Sequence, residues 1–444
     1  MFRFISILSM CFFYIFISTT SYNSLTEVYN IISLIAFLSV VFTLSKSKMF
    51  LCLTLFFLGL IIHFVNGYRG IQLIEGITQN LPLLTVLLLV PLLTIPLNRE
   101  GVISAISTYL SKQQNNNKDS YSWLSMLLIV LSPILNMGAI RVVHSIAKDV
   151  QMSPKLLSKA YFSGFTPTVV WSPFFASVGV VLYWLNMKYL SYVLIGVTFA
   201  LIQITIGMLL LKLKTTSNKD NEQLLEVKDE LYQEKFRYLI KFVIGLISLL
   251  LIMELFINKP MLLLVCFVCL TVPTIWIVVK KQWFIVYDEY KNYKNSLLTG
   301  SKMEISLFLS AGIFGNALSN SSLIKLIEVP LYWSANHSML ILSIFILLFV
   351  TFMAFLGVHQ IIILPLIISL LNQSVIMLNP LPLAFICIFS WMFSAALSPL
   401  NVMNIVVSES VKTNGLKAGL QWNGIYFLVL LIAALLYVSI INLL

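Results

Sequence analysis

The chain has 444 residues, 59% of them hydrophobic and only 10% charged, with a formal net charge of +11 at pH 7. A soluble domain cannot bury that much apolar surface, so the solvent for this fold is lipid. Its lysines and arginines sit mostly in short loops rather than in a basic patch interleaved with aromatics, which fits the positive-inside bias and excludes nucleic acid as a partner.

In chain order, an apolar run at 4–19 follows Arg3. No clear small-x-small cleavage site follows it, so residues 1–27 are read as a retained first helix and loop, with a signal peptide as the alternative. Segments 28–45, 49–65 and 76–96 predict three further spans, each near the ~20 residues a bilayer requires. Residues 101–112 carry apolar residues at helical spacing with one polar face. They read as a helix lying in the membrane surface, or more plainly as a loop. Segments 122–147 and 160–185 are apolar but interrupted, and 190–211 is a clean span. The polar stretch 212–237 predicts a cytoplasmic linker, either a solvated loop or a short helix. Spans follow at 238–257, 261–279 and 303–318. A second surface stretch occupies 321–333. Segment 339–371 is interrupted at Gly357 and segment 380–408 at Pro399, and 420–443 is a final span.

The order of segments therefore occurs twice, as repeat 1 over 28–211 and repeat 2 over 238–444. Charge decides how the interrupted segments sit. If 122–147 crossed the membrane as one helix, Lys118 and Lys148 would lie on opposite sides, and the Lys-rich linker would be forced outside. If instead it enters, turns at Asn136-Met137-Gly138 and leaves on the same side, Lys46, Lys48, Lys112, Lys118, Lys148, Lys155 and Lys212 are all cytoplasmic. A hairpin at 339–371 entered from outside likewise puts Lys412 and Lys417 inside. The expected fold is an all-α polytopic membrane protein with eleven transmembrane helices plus two opposed re-entrant hairpins in an inverted repeat. Protein or water must cover both hairpin tips, because bare backbone is too costly in lipid.

Pro167 and Pro173 interrupt 160–185, and Pro399 interrupts 380–408, since each proline removes a backbone donor and clashes with the preceding turn. Thr166, Thr168 and Ser172 surround the first break. Ser394, Ser398, Asn401 and Asn404 surround the second. Unwound backbone at mid-membrane offers half-helix N-termini to anions and freed carbonyls to Na⁺. The hairpin tips add Asn136, Gly138 and Gly357, with glycine permitting a tight turn and a close ligand. Three residues beyond each glycine comes a polar side chain, Arg141 or Gln360. Arg141 either faces a cavity and grips an oxyanion, or snorkels to the cytoplasm. These ten residues are the candidate substrate-binding set: Asn136, Gly138, Arg141, Thr166, Thr168, Ser172, Gly357, Gln360, Ser398 and Asn401. His144 and His359 are read as helix-packing residues, with a proton shuttle as the alternative.

Cys11, Cys52, Cys266, Cys269 and Cys387 all lie in apolar spans, and the four histidines show no metal-ligand spacing. No metal site, cofactor or catalytic residue is expected. Carboxylates are scarce in the spans, with Glu254 near a helix end and Asp149 and Glu409 at interfaces. A coupling ion would therefore use hydroxyls, amides and carbonyls, which suit Na⁺.

This layout resembles the ion transporter superfamily, and most closely its divalent anion/sodium symporters. The resemblance lies in eleven spans, two opposed hairpins, broken fifth and tenth spans, and surface helices before the hairpins. At the hairpin tips, where those symporters carry Ser-Asn-Thr, this chain reads Asn136-Met137-Gly138 and Phe355-Leu356-Gly357. The resemblance implies a scaffold of spans 1–4 and 7–9, at which a homodimer would form. It also implies a transport domain of both hairpins with spans 5, 6, 10 and 11, sliding as an elevator. The expected function is secondary active transport of a small organic or inorganic anion, in a bacterial plasma membrane. The alternative is a membrane-embedded polysaccharide polymerase or glycosyl-lipid transferase. Such an enzyme needs a sizeable external loop with catalytic groups, whereas the external loops here are short and hold no paired carboxylates.

Overall fold

The computed structural model describes residues 2–20, 25–102, 104–105, 108, 117–147, 152–214, 230–257, 259–319, 321, 325–373, 376 and 378–443, and every regular element among them is helical. The first four helices are α1 (Phe2–Thr20), α2 (Thr26–Val41), α3 (Lys46–Val65) and α4 (Leu81–Arg99). In α4 the turn Val90–Leu93 tightens to 3₁₀ geometry around Pro91. Most of the surface stretch 101–112 lies outside the described residues. Next come α5 (Asn117–Leu135) and α6 (Gly138–Ala147), then α7 (Pro154–Val169) and α8 (Ala176–Trp184), then α9 (Tyr189–Lys214). Both interruptions fall inside the segments expected to be broken.

The second half begins at α10 (Glu230–Phe256), so the last part of the expected linker is helix. Residues 215–229 lie outside the described set. Then follow α11 (Met261–Val279), α12 (Val286–Gly300), α13 (Lys302–Ser319) and α14 (Lys325–His337). The pairs α15 (Met339–Phe355) with α16 (Gln360–Gln373), and α17 (Pro380–Leu397) with α18 (Val402–Ser410), carry the two later interruptions. A π-helical turn over Lys417–Trp422 leads into α19 (Asn423–Ile441).

Among the described residues, eight helices are long and apolar enough to cross a bilayer, or nine if the bent pair Trp283–Gly300 with Lys302–Ser319 counts as one span. Two of the eleven expected spans fall outside that count for identifiable reasons. α2 has only 16 residues, and 160–185 is split between Val169 and Ala176. α12 was not expected at all. Its sequence is too polar to span, yet Ile285 and Leu297 are buried, Tyr290 meets Phe4 edge-to-face at 5.6 Å, and the Tyr293 hydroxyl donates to the Leu88 carbonyl at 3.1 Å. Tyr290 and Tyr293, three residues apart on one face, hold this helix onto α1 and α4.

Charges tie the ends of these elements together. Arg99 pairs with Glu289, and Lys280 with Glu100 at 2.8 Å, while the Trp276 indole N–H also donates to Glu100. The Lys280 ammonium beside it holds the Glu100 carboxyl below its ordinary value, against partial burial that pushes the other way.

The interior is laid out in matching pairs. α5 packs along α7, and α15 packs along α17. The second member of each interrupted pair crosses to the other half, so that α6 rests on α18 and α16 rests on α8.

Candidate functional site

The first turn is made by Asn136, whose φ is +50°. Its N–H donates to the Ser132 carbonyl at 2.9 Å, and its side-chain Oδ1 accepts from the Met137 N–H at 2.8 Å. Gly138, expected to supply the tight turn, is instead the first residue of α6 and shows no positive φ. Asparagine tolerates left-handed backbone because its amide bonds locally, so the turn needs no glycine there. Arg141 is exposed and makes no hydrogen bond or ion pair among the described residues. It acts electrostatically on Glu304 at the start of α13.

The first broken helix solves its backbone problem with hydroxyls. The Val169 carbonyl accepts from Ser177 Oγ at 2.6 Å, the Val170 carbonyl from Tyr192 OH at 2.8 Å, and the Trp171 carbonyl from Tyr189 OH at 2.9 Å. Buried carbonyls freed by proline need such partners. Ser172, itself buried, accepts from the Phe174 N–H at 3.4 Å. Thr166 donates back to the Phe162 carbonyl at 2.8 Å and lies 3.3 Å from the Tyr426 hydroxyl. The Thr168 hydroxyl is buried with no hydrogen-bond partner among the described residues.

The first turn of α9 is itself fixed from α10. Glu254 is 5% exposed, and its two carboxylate oxygens accept from the Tyr189 N–H at 2.6 Å and the Leu190 N–H at 2.7 Å. A carboxylate at a helix N-terminus satisfies orphan donors and complements the dipole. Tyr189 thus joins Glu254, through its amide, to the broken helix, through its hydroxyl.

The second turn ends α15 with paired bonds, Gly357 N–H to the Ala354 carbonyl and Val358 N–H to the Met353 carbonyl, with Gly357 at φ +87°. This is the left-handed cap in which glycine avoids a Cβ penalty. His359 then starts α16, its Nδ1 accepting from the Ile361 N–H at 3.2 Å, which leaves the ring proton on Nε2. His144 is bonded differently, through Nδ1 to the Tyr161 hydroxyl at 2.9 Å.

Gln360 joins this turn to the second broken helix. Its Nε2 donates to Ser394 Oγ at 2.8 Å, and its Oε1 accepts from Asn401 Nδ2 at 3.0 Å. Asn401 Oδ1 in turn caps α18 by accepting from the Met403 N–H at 3.1 Å. Ser398 Oγ donates to the Ala354 carbonyl at 2.7 Å, back at the end of α15. Asn404 Nδ2 covers the carbonyls of Ala396 and Leu397, freed by Pro399, while its buried Oδ1 has no hydrogen-bond partner among the described residues. A Cβ on Gly415 would lie 2.6 Å from that Oδ1, and one on Gly419 2.8 Å from the Ala396 carbonyl, so the π-helical turn is pressed against the break.

The candidate residues thus fall into three groups. Gln360, Ser398 and Asn401, with Gly357 in the turn, form one connected cluster. Thr166, Thr168 and Ser172 line the first break. Asn136, Gly138 and Arg141 stay at their own turn, bonded to neither. Ser177, Tyr189, Tyr192 and Tyr426 were not anticipated, since their role depends on what the fold places opposite them. A cavity of about 20 Å³, room for one water, lies among Asn80, Trp184, Gly315, Ile361, Pro365 and Ser369, beginning one residue beyond Gln360. Among the described residues no group of three or more His, Cys, Asp or Glu side chains is placed to hold a metal. No protein-family model matches this chain, and no curated protein matches it either.

Proposed function

We propose that the protein is a secondary transporter that carries a small organic or inorganic anion by an elevator motion. Its layout would be that of the ion transporter superfamily, with eleven spans and two opposed re-entrant hairpins in an inverted repeat. The observation that carries this reading is the pairing of each interrupted helix with an interrupted neighbour, done twice and exchanged between the halves. A mid-membrane site built from broken helices at a repeat interface is the way many secondary transporters hold a solute.

Hydrogen bonds support the two hairpins. An unbroken helix would put Ser125 and His144 about 28 Å apart. Yet Ser125 bonds the Ala160 carbonyl and His144 bonds Tyr161, on adjacent residues of α7. Similarly, a rod from Met339 to Leu370 would run about 46 Å. Instead the Leu370 carbonyl accepts from Tyr332, which lies on α14 just before Met339. The buried Thr168 hydroxyl and Asn404 carbonyl oxygen, at the breaks and without hydrogen-bond partners among the described residues, are polar groups that a bound solute or coupling ion such as Na⁺ would satisfy. α1–α4 and α10–α13 would form the scaffold, and the paired elements with α9 and α19 the moving part.

The test is thermal stabilisation of the purified protein by a panel of small anions, each with and without Na⁺. A ligand at 100 times its dissociation constant adds about 2.7 kcal/mol, so one anion class should raise the melting temperature in a concentration-dependent way. Cysteines at Met137 and Leu356, one in each turn, should be labelled from opposite faces of the membrane and respond to that anion. Labelling of both from one face sinks the inverted repeat, and no stabilisation by any anion sinks the transport reading.

A further inference from the structure

α12 offers a second surface with its own chemistry, independent of any transported solute. Its axis bends 57° from α13, with which it makes up one candidate membrane span, so the two helices cannot both run along the membrane normal. One face is seated on α1 and α4. The opposite stripe, which begins in the 3₁₀ turn Trp283–Ile285 leading into α12, is left open, with Phe284 77% and Tyr287 73% exposed, and Lys291 continuing the same row one turn on. Trp283, 59% exposed, stands beside them. Three large aromatics in five residues facing outward would be a liability in water and are the usual furniture of a bilayer's headgroup layer.

The charge beside them is one-sided. Lys280 and Glu289 are already held in ion pairs, which leaves Lys281 and Lys291 against Asp288. Lys281 and Lys291 are exposed, with no ion pair among the described residues. Lys294 lies 5.8 Å over the Phe4 ring. A surface helix with apolar bulk and a lysine excess is attracted to anionic lipid.

We propose that α12 docks on an anionic bilayer surface, its aromatics Trp283, Phe284 and Tyr287 inserted among the headgroups and Lys281 and Lys291 binding the lipid phosphates. The docked helix anchors α4 at a fixed depth through its bonds to Leu88 and Arg99.

The experiment uses the full chain in nanodiscs of phosphatidylcholine, alone or with about one third phosphatidylglycerol, and reads hydrogen exchange over residues 283–300. Phosphatidylglycerol should slow exchange there. A lysine near an anionic surface contributes about a five-fold factor in affinity, so Lys281→Gln with Lys291→Gln should cut by about 25-fold the extra exchange protection that phosphatidylglycerol confers. Phe284→Ser with Tyr287→Ser should raise exchange in both kinds of disc while α13 keeps its protection, which separates undocking from misfolding. Equal protection with and without phosphatidylglycerol, or a lysine variant that responds like the parent, overturns the proposal. Equivalent protection by inorganic phosphate in phosphatidylcholine discs also overturns it, because the ligand would then be a free anion.

Discussion

Replacing Glu254 by glutamine tests how rigidly the first broken helix is held. In the parent, two backbone amides donate to one buried carboxylate at 2.6 and 2.7 Å. Hydrogen bonds to a charged acceptor contribute about 1.5–3 kcal/mol each, and the helix-terminus charge effect adds about 0.3–1 kcal/mol. Glutamine keeps one acceptor oxygen but turns an NH₂ toward the second amide, which loses one bond and leaves a buried donor unpaired. The expected destabilisation is about 2–4 kcal/mol. In a chain of this length 1 kcal/mol moves the melting temperature by roughly 1 °C, so Glu254→Gln should melt about 2–4 °C lower at a fixed scan rate. Tyr189→Phe, which removes only the bond to the Trp171 carbonyl, should cost about 1 kcal/mol. If Glu254 acts through the first turn of α9, the two changes should be non-additive by at least about 0.5 kcal/mol. Additive effects would refute the route through Tyr189, and an unchanged midpoint for Glu254→Gln would refute the clamp itself.

Other expectations follow from close contacts and charges. Gly164→Ala should destabilise by about 1–3 kcal/mol on thermal melting, because its Cβ would stand 2.6 Å from the Ser125 carbonyl. Gln360→Leu strands the Asn401 side-chain NH₂ and removes the donor to Ser394 Oγ, so it should lower the melting temperature and weaken any anion-dependent stabilisation. Arg141→Gln should abolish that anion response while leaving the stability of the apo protein within about 0.5 kcal/mol of the parent, as for an exposed residue. The Glu100–Lys280 pair should stabilise slightly at neutral pH, since the folded carboxyl sits below its ordinary value. That contribution is complete above the unfolded pKa of about 4.3 and is lost as pH falls through the lower folded value. A Glu100→Gln variant should therefore differ from the parent at pH 7 and converge with it on acidification.

Glycine and proline made the interruptions legible in the sequence. Pro173 and Pro399 mark places where a helix cannot keep its bonds, and the helices end at Val169 and Leu397 just before them. The turn at Gly357 was equally readable. The first turn lies where it was expected, at Asn136-Met137-Gly138, but the left-handed residue is Asn136, which local pattern ranks below glycine. α12 escaped because a helix this polar shows its periodicity only once its neighbours are known. The partners of the freed carbonyls were beyond the sequence for the same reason. Ser177 is near in sequence, but Tyr189 and Tyr192 act from a separate helix, and nothing in their own surroundings announces it. Glu254 could be seen as an acid near a helix end, yet the amides it serves lie more than sixty residues earlier.

The exchange of partners between halves bears on how the protein is made. Residues 138–147 rest on α5 and bond to α7 through His144, but their seat is completed by 402–410, which leaves the ribosome more than 250 residues later. At ordinary synthesis rates that interval is on the order of tens of seconds, during which a short, partly polar arm lacks one wall of its native seat. Biogenesis of this chain therefore depends on the insertion machinery sheltering that arm until the final two helices are released, and truncation near the C-terminus damages the first half as surely as the second.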